Sequence, residues 1–401
     1  MEPLYHAEEC HPPYELVEVE STGNRHIPAE YRDRVLIHTV HDGAYIPRQY
    51  IYDADGRPRL DTAVLAQRFI EERDWGANLV AHKIAAAMGV RGYARCRIAR
   101  VLLDFNRFPG STPEHAGVHP LDRLAINHPF ATVLDHSEKV EVLERYYDRI
   151  SDYIEAELLD EKLIMIAVHT YDEHNATKTK RPHLSLLTSM AGYQMHSRMP
   201  IGVFDPMYPD ALGETTCSRI LRDRVSLNLE RNRMRVSHNH PYPLPEGCME
   251  VRAQVWYFFD FLRRAFEEDH PETCHEPAFK LVWMMLLNTN LRLQEAEALR
   301  SYLHRYRKLP ADQVERFNKA RVAYEKLAAY VHANDIVNRF RLSPSRPSSL
   351  GLEVRKDLVC TFDRNGRPQP ATPAQEEKAT LIGNVVADAI CTYFETDRQF
   401  L

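Results

Sequence analysis

The chain is 401 residues long, 44% hydrophobic, 9% aromatic and 27% charged, with a formal net charge of -6. That length can bury a substantial core, and the balance is that of an ordinary globular protein. It offers no basic field for nucleic acid or anionic lipid and no apolar run long enough to span a bilayer, so a small-molecule substrate is the simplest expectation.

The opening segment Met1-Glu-Pro-Leu-Tyr-His lacks a charged region followed by an apolar stretch, so the expected location is the cytoplasm. Seven cysteines (Cys10, Cys96, Cys217, Cys248, Cys274, Cys360, Cys391) form no Cys-x-x-Cys pair, which argues against a thiolate zinc site or a disulfide framework.

In chain order, residues 35–40 read as a strand that ends on His41-Asp42-Gly43. Asp61 to Met88 reads as helix with a break near Asp74, and residues 98–104 as a second strand running into Asp104-Phe-Asn106-Arg107. A helix over Ser137–Asp160 then feeds a strand, Ile164-Met-Ile-Ala-Val-His169-Thr170. This alternation predicts an α/β fold, a mostly parallel sheet covered by helices in a three-layer α/β/α sandwich. Pro182–Thr188 and Ile201–Phe204 are further candidate strands, followed by a helix around Thr216–Asn232.

From Ala253 the character changes. Residues 253–268, 277–306 and 311–340 carry apolar positions at helical spacing, punctuated by Pro271, Pro277 and Pro310. The expectation is a helical insertion at 253–345 within a single domain spanning 1–401. Packing on the core is its simplest role, and a lid or a homodimer surface are the alternatives. The β/α pattern resumes at Gly351-Leu-Glu353-Val-Arg355, a strand with both charges on one face, and closes with a helix from Pro373 to Phe394.

Three of these strands stop on chemically capable residues, and in open α/β sheets ligands sit outside the carboxyl ends of the strands. Two histidines delivered that way, His41 and His169, read as metal ligands, and imidazole with carboxylate suits Zn²⁺. The acid would come from the Glu71-Glu72-Arg73-Asp74 cluster, although on the sequence alone a solvated helix face is the better account of such a run. Asn106 and Arg107 offer an amide and a planar fork of donors for a substrate carboxylate, with Arg100 joining them only if the strand bends or ends between them. The competing account is an internal ion pair of Asp104 with one arginine.

Glu353 is the candidate general base, with an ion pair to Arg355 as the competing account and Glu250, in the similar Glu250-Val-Arg252, as its rival. Asn239-His-Pro-Tyr242 reads as a turn presenting an amide and a phenol. His38, His238 and His240 read as satisfied polar residues.

Taken in order, His41-Asp-Gly43, Glu71-Glu-Arg-Asp74, Arg100 with Asp104-Phe-Asn106-Arg107-Phe-Pro109, His169-Thr170, Asn239-His-Pro-Tyr242 and Glu353-Val-Arg355-Lys-Asp357-Leu358 resemble the N-formylglutamate amidohydrolase family. The resemblance covers about residues 35 to 395, with the helical block as its main departure. It implies a phosphorylase/hydrolase-like sandwich similar to zinc carboxypeptidases, with one zinc held by His41, His169 and Asp74, Glu72 being the alternative acid. It further implies that Asn106 and Arg107 take the substrate carboxylate and that Glu353 is the general acid/base. Arg100, Asn239, Tyr242 and Arg355 complete the expected substrate site. The expected reaction is hydrolysis of an N-formyl or N-acyl amino acid, with a carboxypeptidase-like or peptide-modifying hydrolase and a non-catalytic binding protein as the other readings. Asp42 stands where the family usually shows a serine, placing a second acid beside the metal.

Overall fold

The computed structural model describes residues 4–22, 26–109, 125–159, 162–190, 204–245, 247–305, 311–364 and 366–397. Seven strands, β1 (Tyr14–Glu18), β2 (Val35–Thr39), β3 (Gly92–Cys96), β4 (Ile164–Tyr171), β5 (Leu184–Leu187), β6 (Val236–His238) and β7 (Ser348–Arg355), form one sheet in the order β1-β3-β2-β4-β7-β5-β6. Every residue of β2, β4, β5 and β7 is buried, as expected of strands covered on both faces. Pairing is parallel from β3 through β2 and β4 to β7, and between β5 and β6. It is antiparallel where β1 meets β3 and β5 meets β7.

From β2 the chain goes to β3 on one side and returns to β4 on the other. The loops after β2 and β4 therefore diverge and leave a crevice at the carboxyl ends of two adjacent strands, where ligands bind in such sheets.

Period-two alternation divides the strands between two cores. Ile37, Ile166, Val168, Leu350 and Leu352 pack with the helices Ala77–Met88, Arg219–Arg231 and Pro373–Thr392. Leu36 and Met165 face the other way, onto a core supplied by the helices Thr62–Glu72 and Arg149–Leu159 and by Met249 and Ala253. His38, His169, Gly351 and Glu353 share that second face.

The strand expected at 98–104 is a series of turns. The amides of Leu102 and Leu103 both bond to the carbonyl of Ala99, at 3.0 and 3.1 Å, and Gly92–Cys96 takes the place in the sheet instead. Apart from the partly buried Arg100, residues 98–103 are apolar and buried, a pattern that does not distinguish a strand from a buried turn. Of the Ile201–Phe204 candidate, 201–203 lie outside the described residues and Phe204 is in a bend.

The helical block begins at Met249 rather than 253, and runs through Met249–Asp269, Pro277–Leu287, Gln294–Arg305, Ala311–Ala333 and Ile336–Arg341. The helix expected over 277–306 is interrupted beyond Leu287, where Leu291 takes φ 60, and that over 311–340 at Asp335, where φ is 50. A third core joins Phe258, Phe259, Leu262 and Phe266 to Trp283, Leu299, Leu327 and Phe340. All seven cysteines are free thiols. No helix among the described residues is long and apolar enough to cross a membrane.

Candidate active site

The break between two helices delivers the acid. Asp61 caps the Thr62–Glu72 helix by accepting from the amides of Ala63 and Val64 at 2.8 and 3.2 Å. The chain then extends at Arg73 and enters the next helix through Gly76 at φ 89, a left-handed conformation open to glycine without Cβ strain. A Cβ at Gly76 would also meet Cγ2 of Val359 at 2.5 Å. Between these two points the Asp74 amide bonds to the carbonyl of His41 at 3.0 Å, which fixes the acid beside the end of β2.

Asp74 Oδ2 lies 2.8 Å from Nδ1 of His169 and 3.6 Å from Nδ1 of His41. One ligand atom from each of the three residues falls within 4.8 Å of the others, and all three residues are buried. Burial opposes the charge on both partners of the His169–Asp74 pair. Their hydrogen bond prevails, lifting the imidazole to about 10 and, with His41, holding the carboxyl well below its ordinary range.

The outer nitrogen of His41, Nε2, donates to Asp104 Oδ1 at 2.9 Å, which leaves Nδ1 buried with no hydrogen-bond partner. An imidazole oriented by a carboxylate, with its other nitrogen open beside a second imidazole and an acid, is a donor set that fits a divalent metal such as zinc and leaves room for water. Metal binding there would displace the proton shared by His169 and Asp74.

Asp104 organises the adjoining cationic wall. Its Oδ1 also accepts from the Asn106 amide at 2.9 Å, while Oδ2 accepts from Nε of Arg100 at 3.2 Å and forms an ion pair with Nε of Arg107 at 3.0 Å. Because the 97–107 segment turns instead of continuing as a strand, both arginines reach the same carboxylate, which is where the sequence left one ion pair as the competing account. Arg107 Nη1 donates to Asn127 Oδ1 at 3.4 Å, and Asn127 Nδ2 donates to Glu72 Oε2 at 2.8 Å. Glu72 is thereby braced away from the histidines, and it is Asp74 that joins them.

Glu353 sits directly beside His169 in the parallel β4–β7 register. The Tyr242 hydroxyl donates to its Oε1 at 2.5 Å, and Oε2 is buried with no hydrogen-bond partner. Burial raises this carboxyl, while the neighbouring His169 pulls it down. Its partner is Tyr242 and not Arg355, which holds Asp357 at 2.6 and 3.0 Å and the carbonyl of Arg181 at 3.0 Å.

Asn239, at φ 50, uses its side-chain amide locally. Its Oδ1 accepts from the amides of Thr188 and Ser189 at 2.8 and 3.0 Å, and Nδ2 donates to Ser189 Oγ at 3.0 Å. The residue thus fixes the turn that carries Tyr242.

Asp42 points away from the imidazoles into a guanidinium pair. Arg73 reaches its Oδ1 at 3.2 Å and Arg95 its Oδ2 at 3.5 Å, so burial and neutralisation oppose each other on its carboxyl. A cavity of about 790 Å³ lined by Tyr45, Arg73, Trp75 and Arg95 opens there, and none of His41, Asp74 and His169 lines it. Of the other histidines, burial lowers His38 to about 4, and His238 bonds to Ser226 Oγ at 3.0 Å.

Two contributors escaped the sequence reading in these roles: Asp104 as the orienting partner of His41, and Asn127 as the bridge between Glu72 and Arg107. The Asp-Phe-Asn-Arg run marked Asp104 as chemically capable without saying which histidine it faces. Asn127 carries no motif.

The sequence profile of the N-formylglutamate amidohydrolase family matches residues 33–257, more than half of the chain. No curated protein matches significantly. Among solved structures, the chain is similar to an N-formylglutamate amidohydrolase from Ralstonia eutropha, with 12% identity over 96% of this chain and 99% of that one and a TM-score of 0.49. It is also similar to a gene product of Agrobacterium tumefaciens, with 15% identity over 89% and 90% and a TM-score of 0.42.

Proposed function

The chain belongs to the N-formylglutamate amidohydrolase family, and from that premise we propose that it is a zinc-dependent amidohydrolase releasing an N-formyl or related N-acyl group from an amino acid that bears a carboxylate. The observation that carries the reading is the buried His41, Asp74 and His169 group with Glu353 beside it in register. A metal bound there would polarise the scissile carbonyl and acidify a water to a pKa of about 7.

The remaining chemistry falls to side chains of this chain. Glu353 serves as general base through Oε2, the oxygen left open when Tyr242 occupies Oε1, and returns the proton to the leaving nitrogen. Its raised pKa suits both directions of transfer. Arg107 is the anchor for the substrate carboxylate, because it is partly exposed and its donors are less heavily engaged than those of Arg355. Asn106, whose side-chain oxygen is buried without a partner, lines the same subsite. Arg100 stands between Asp74 and Asp104, at 3.5 and 3.2 Å, and contributes positive charge where the carbonyl oxygen becomes negative. Asn239 and Arg355 act by holding the loops around Tyr242 and Glu353.

The test is formate release from N-formyl-L-glutamate by protein purified without a histidine tag, alongside elemental analysis. The expected outcome is near-stoichiometric zinc, with turnover lost on chelation, restored by zinc, and absent together with the metal in His41→Ala and His169→Ala. Turnover that survives complete removal of metal, or zinc-loaded protein inert towards every N-acyl amino acid, would refute the reading.

A further inference from the structure

Glu250 has no role in the mechanism above, yet among the described acids near the site it is the one with both carboxylate oxygens buried and without a hydrogen bond. It lies in the first turn of the Met249–Asp269 helix, is 0% exposed, and has no hydrogen-bond partner on either carboxylate oxygen. A buried carboxylate is costly unless a donor or an opposite charge faces it, so its neighbours decide its role.

Its surroundings show what it is aimed at. Oε1 lies 3.9 Å from Nε2 of His169, and that nitrogen is also buried and unpartnered. His38 stands in one row with Ala167 and Gly351 across β2, β4 and β7, and both of its ring nitrogens are unpartnered as well. Gly351 lies against the same carboxylate: a Cβ there would crowd Cβ of Leu187 at 3.1 Å and Cδ2 of Leu244 at 3.2 Å, and would touch Glu250 Oε1 at an ordinary 3.6 Å. The Cys248 thiol and the His38 imidazole complete the polar surroundings.

The two metal-facing imidazoles are therefore built alike. Each turns Nδ1 towards Asp74 and its outer Nε2 towards a separate buried carboxylate, Asp104 at 2.9 Å for His41 and Glu250 at 3.9 Å for His169. Ligating histidines characteristically donate the outer N–H to such an acceptor, which fixes the tautomer and strengthens the ligand.

We propose that Glu250 is a positioning residue for the metal centre, accepting the Nε2–H of His169 when Nδ1 is committed to zinc, and that the helical block thereby takes part in metal binding. This rests on reading His41, Asp74 and His169 as the zinc set. The 3.9 Å separation is longer than a hydrogen bond, so the contact closes by a small rotation of the glutamate or the ring. The first turn of the helix favours a negative charge through its amide dipoles, which keeps Glu250 available as an acceptor.

The test compares wild type with Glu250→Gln and Glu250→Leu in two measurements: the zinc dissociation constant by competition with a chromophoric chelator, and the urea midpoint of the metal-free protein. Positioning predicts zinc weakened about 10- to 100-fold, more in Leu than in Gln, with full stoichiometry at saturating zinc. A lowered midpoint with unchanged zinc affinity would make Glu250 merely structural and overturn the proposal. Loss of zinc as complete as in His169→Ala would make it a ligand and overturn it too. Wild type that binds no zinc would defeat the metal reading itself, an outcome distinct from wild type that binds zinc and Glu250 variants that bind it equally well.

Discussion

The two faces of the sheet are made from the same strands and do opposite things. On one, Ile37, Ile166, Val168, Leu350 and Leu352 meet three helices in an apolar core. On the other, the alternate residues pass from Leu36 and Met165, in a second apolar core, to His38, His169 and Glu353 towards the carboxyl ends of β2, β4 and β7, buried as thoroughly and with polar atoms left without hydrogen bonds. One face is apolar along its length, and the other gives way at its end to the polar groups proposed to meet metal and substrate. The contrast teaches that the strands supply rigidity and chemistry from neighbouring positions, so a perturbation one residue along should change which property is lost.

The sharpest way to break the contrast is Glu353→Gln. It should lower kcat about 10²- to 10⁴-fold while zinc content, read by elemental analysis, stays at the wild-type level. A loss of zinc alongside turnover would mean that Glu353 belongs to the donor set. Ile166→Ala, on the apolar face, should cost about 2–5 kcal/mol in urea unfolding and leave kcat/KM unchanged well below the transition. A kinetic defect there would show that the faces are not separable. Arg107→Ala should raise KM for a carboxylate substrate by about 10- to 100-fold with a smaller change in kcat, since a hydrogen bond to a charged group contributes about 1.5–3 kcal/mol.

The smallest effect concerns pH. Burial raises the Glu353 carboxyl above its unfolded value, so the folded state holds its proton to higher pH than the unfolded chain does. Wild-type stability is therefore undiminished below the unfolded value of about 4.3 and falls as pH rises towards and through the folded one. Metal-free Glu353→Gln should accordingly be the more stable protein at pH 7, and the advantage should vanish near pH 4 when the two urea midpoints are compared. An advantage independent of pH would point to packing instead of charge.

Much of this arrangement was legible in the chain. The runs Val35–Thr39 and Ile164–Tyr171 are fully buried strands, and such strands read as unbroken apolar segments that end on the residues of the crevice. The helix break near Asp74 was legible, but Asp74 was preferred within its acidic run only through the family resemblance. The strand β1 was missed because its residues are only partly buried and lack an apolar run, and β6 because three residues are too few to show a period. The turns at 98–104 were mistaken for a strand because a mostly apolar, buried run leaves no periodicity. Which carboxylate faces which imidazole was beyond reach for a different reason: Asp104 lies 63 residues from His41, and Asp74 95 residues from His169. Such pairings are decided by register and turn geometry, which composition does not encode. Glu250 was considered only as a rival base, since nothing in Glu250-Val-Arg252 reveals that its helix starts beneath His169.

Asp104 has a consequence of scale. One oxygen holds the outer nitrogen of His41 and the other pairs with Nε of Arg107, so a single carboxylate spans the imidazole proposed to face the metal and the guanidinium proposed to take the substrate carboxylate. It works as a gauge block. Neither end can shift alone without giving up a hydrogen bond or an ion pair inside the protein, so under the proposed roles the number of atoms between the bond cut and the charge gripped would be a quantity the molecule measures.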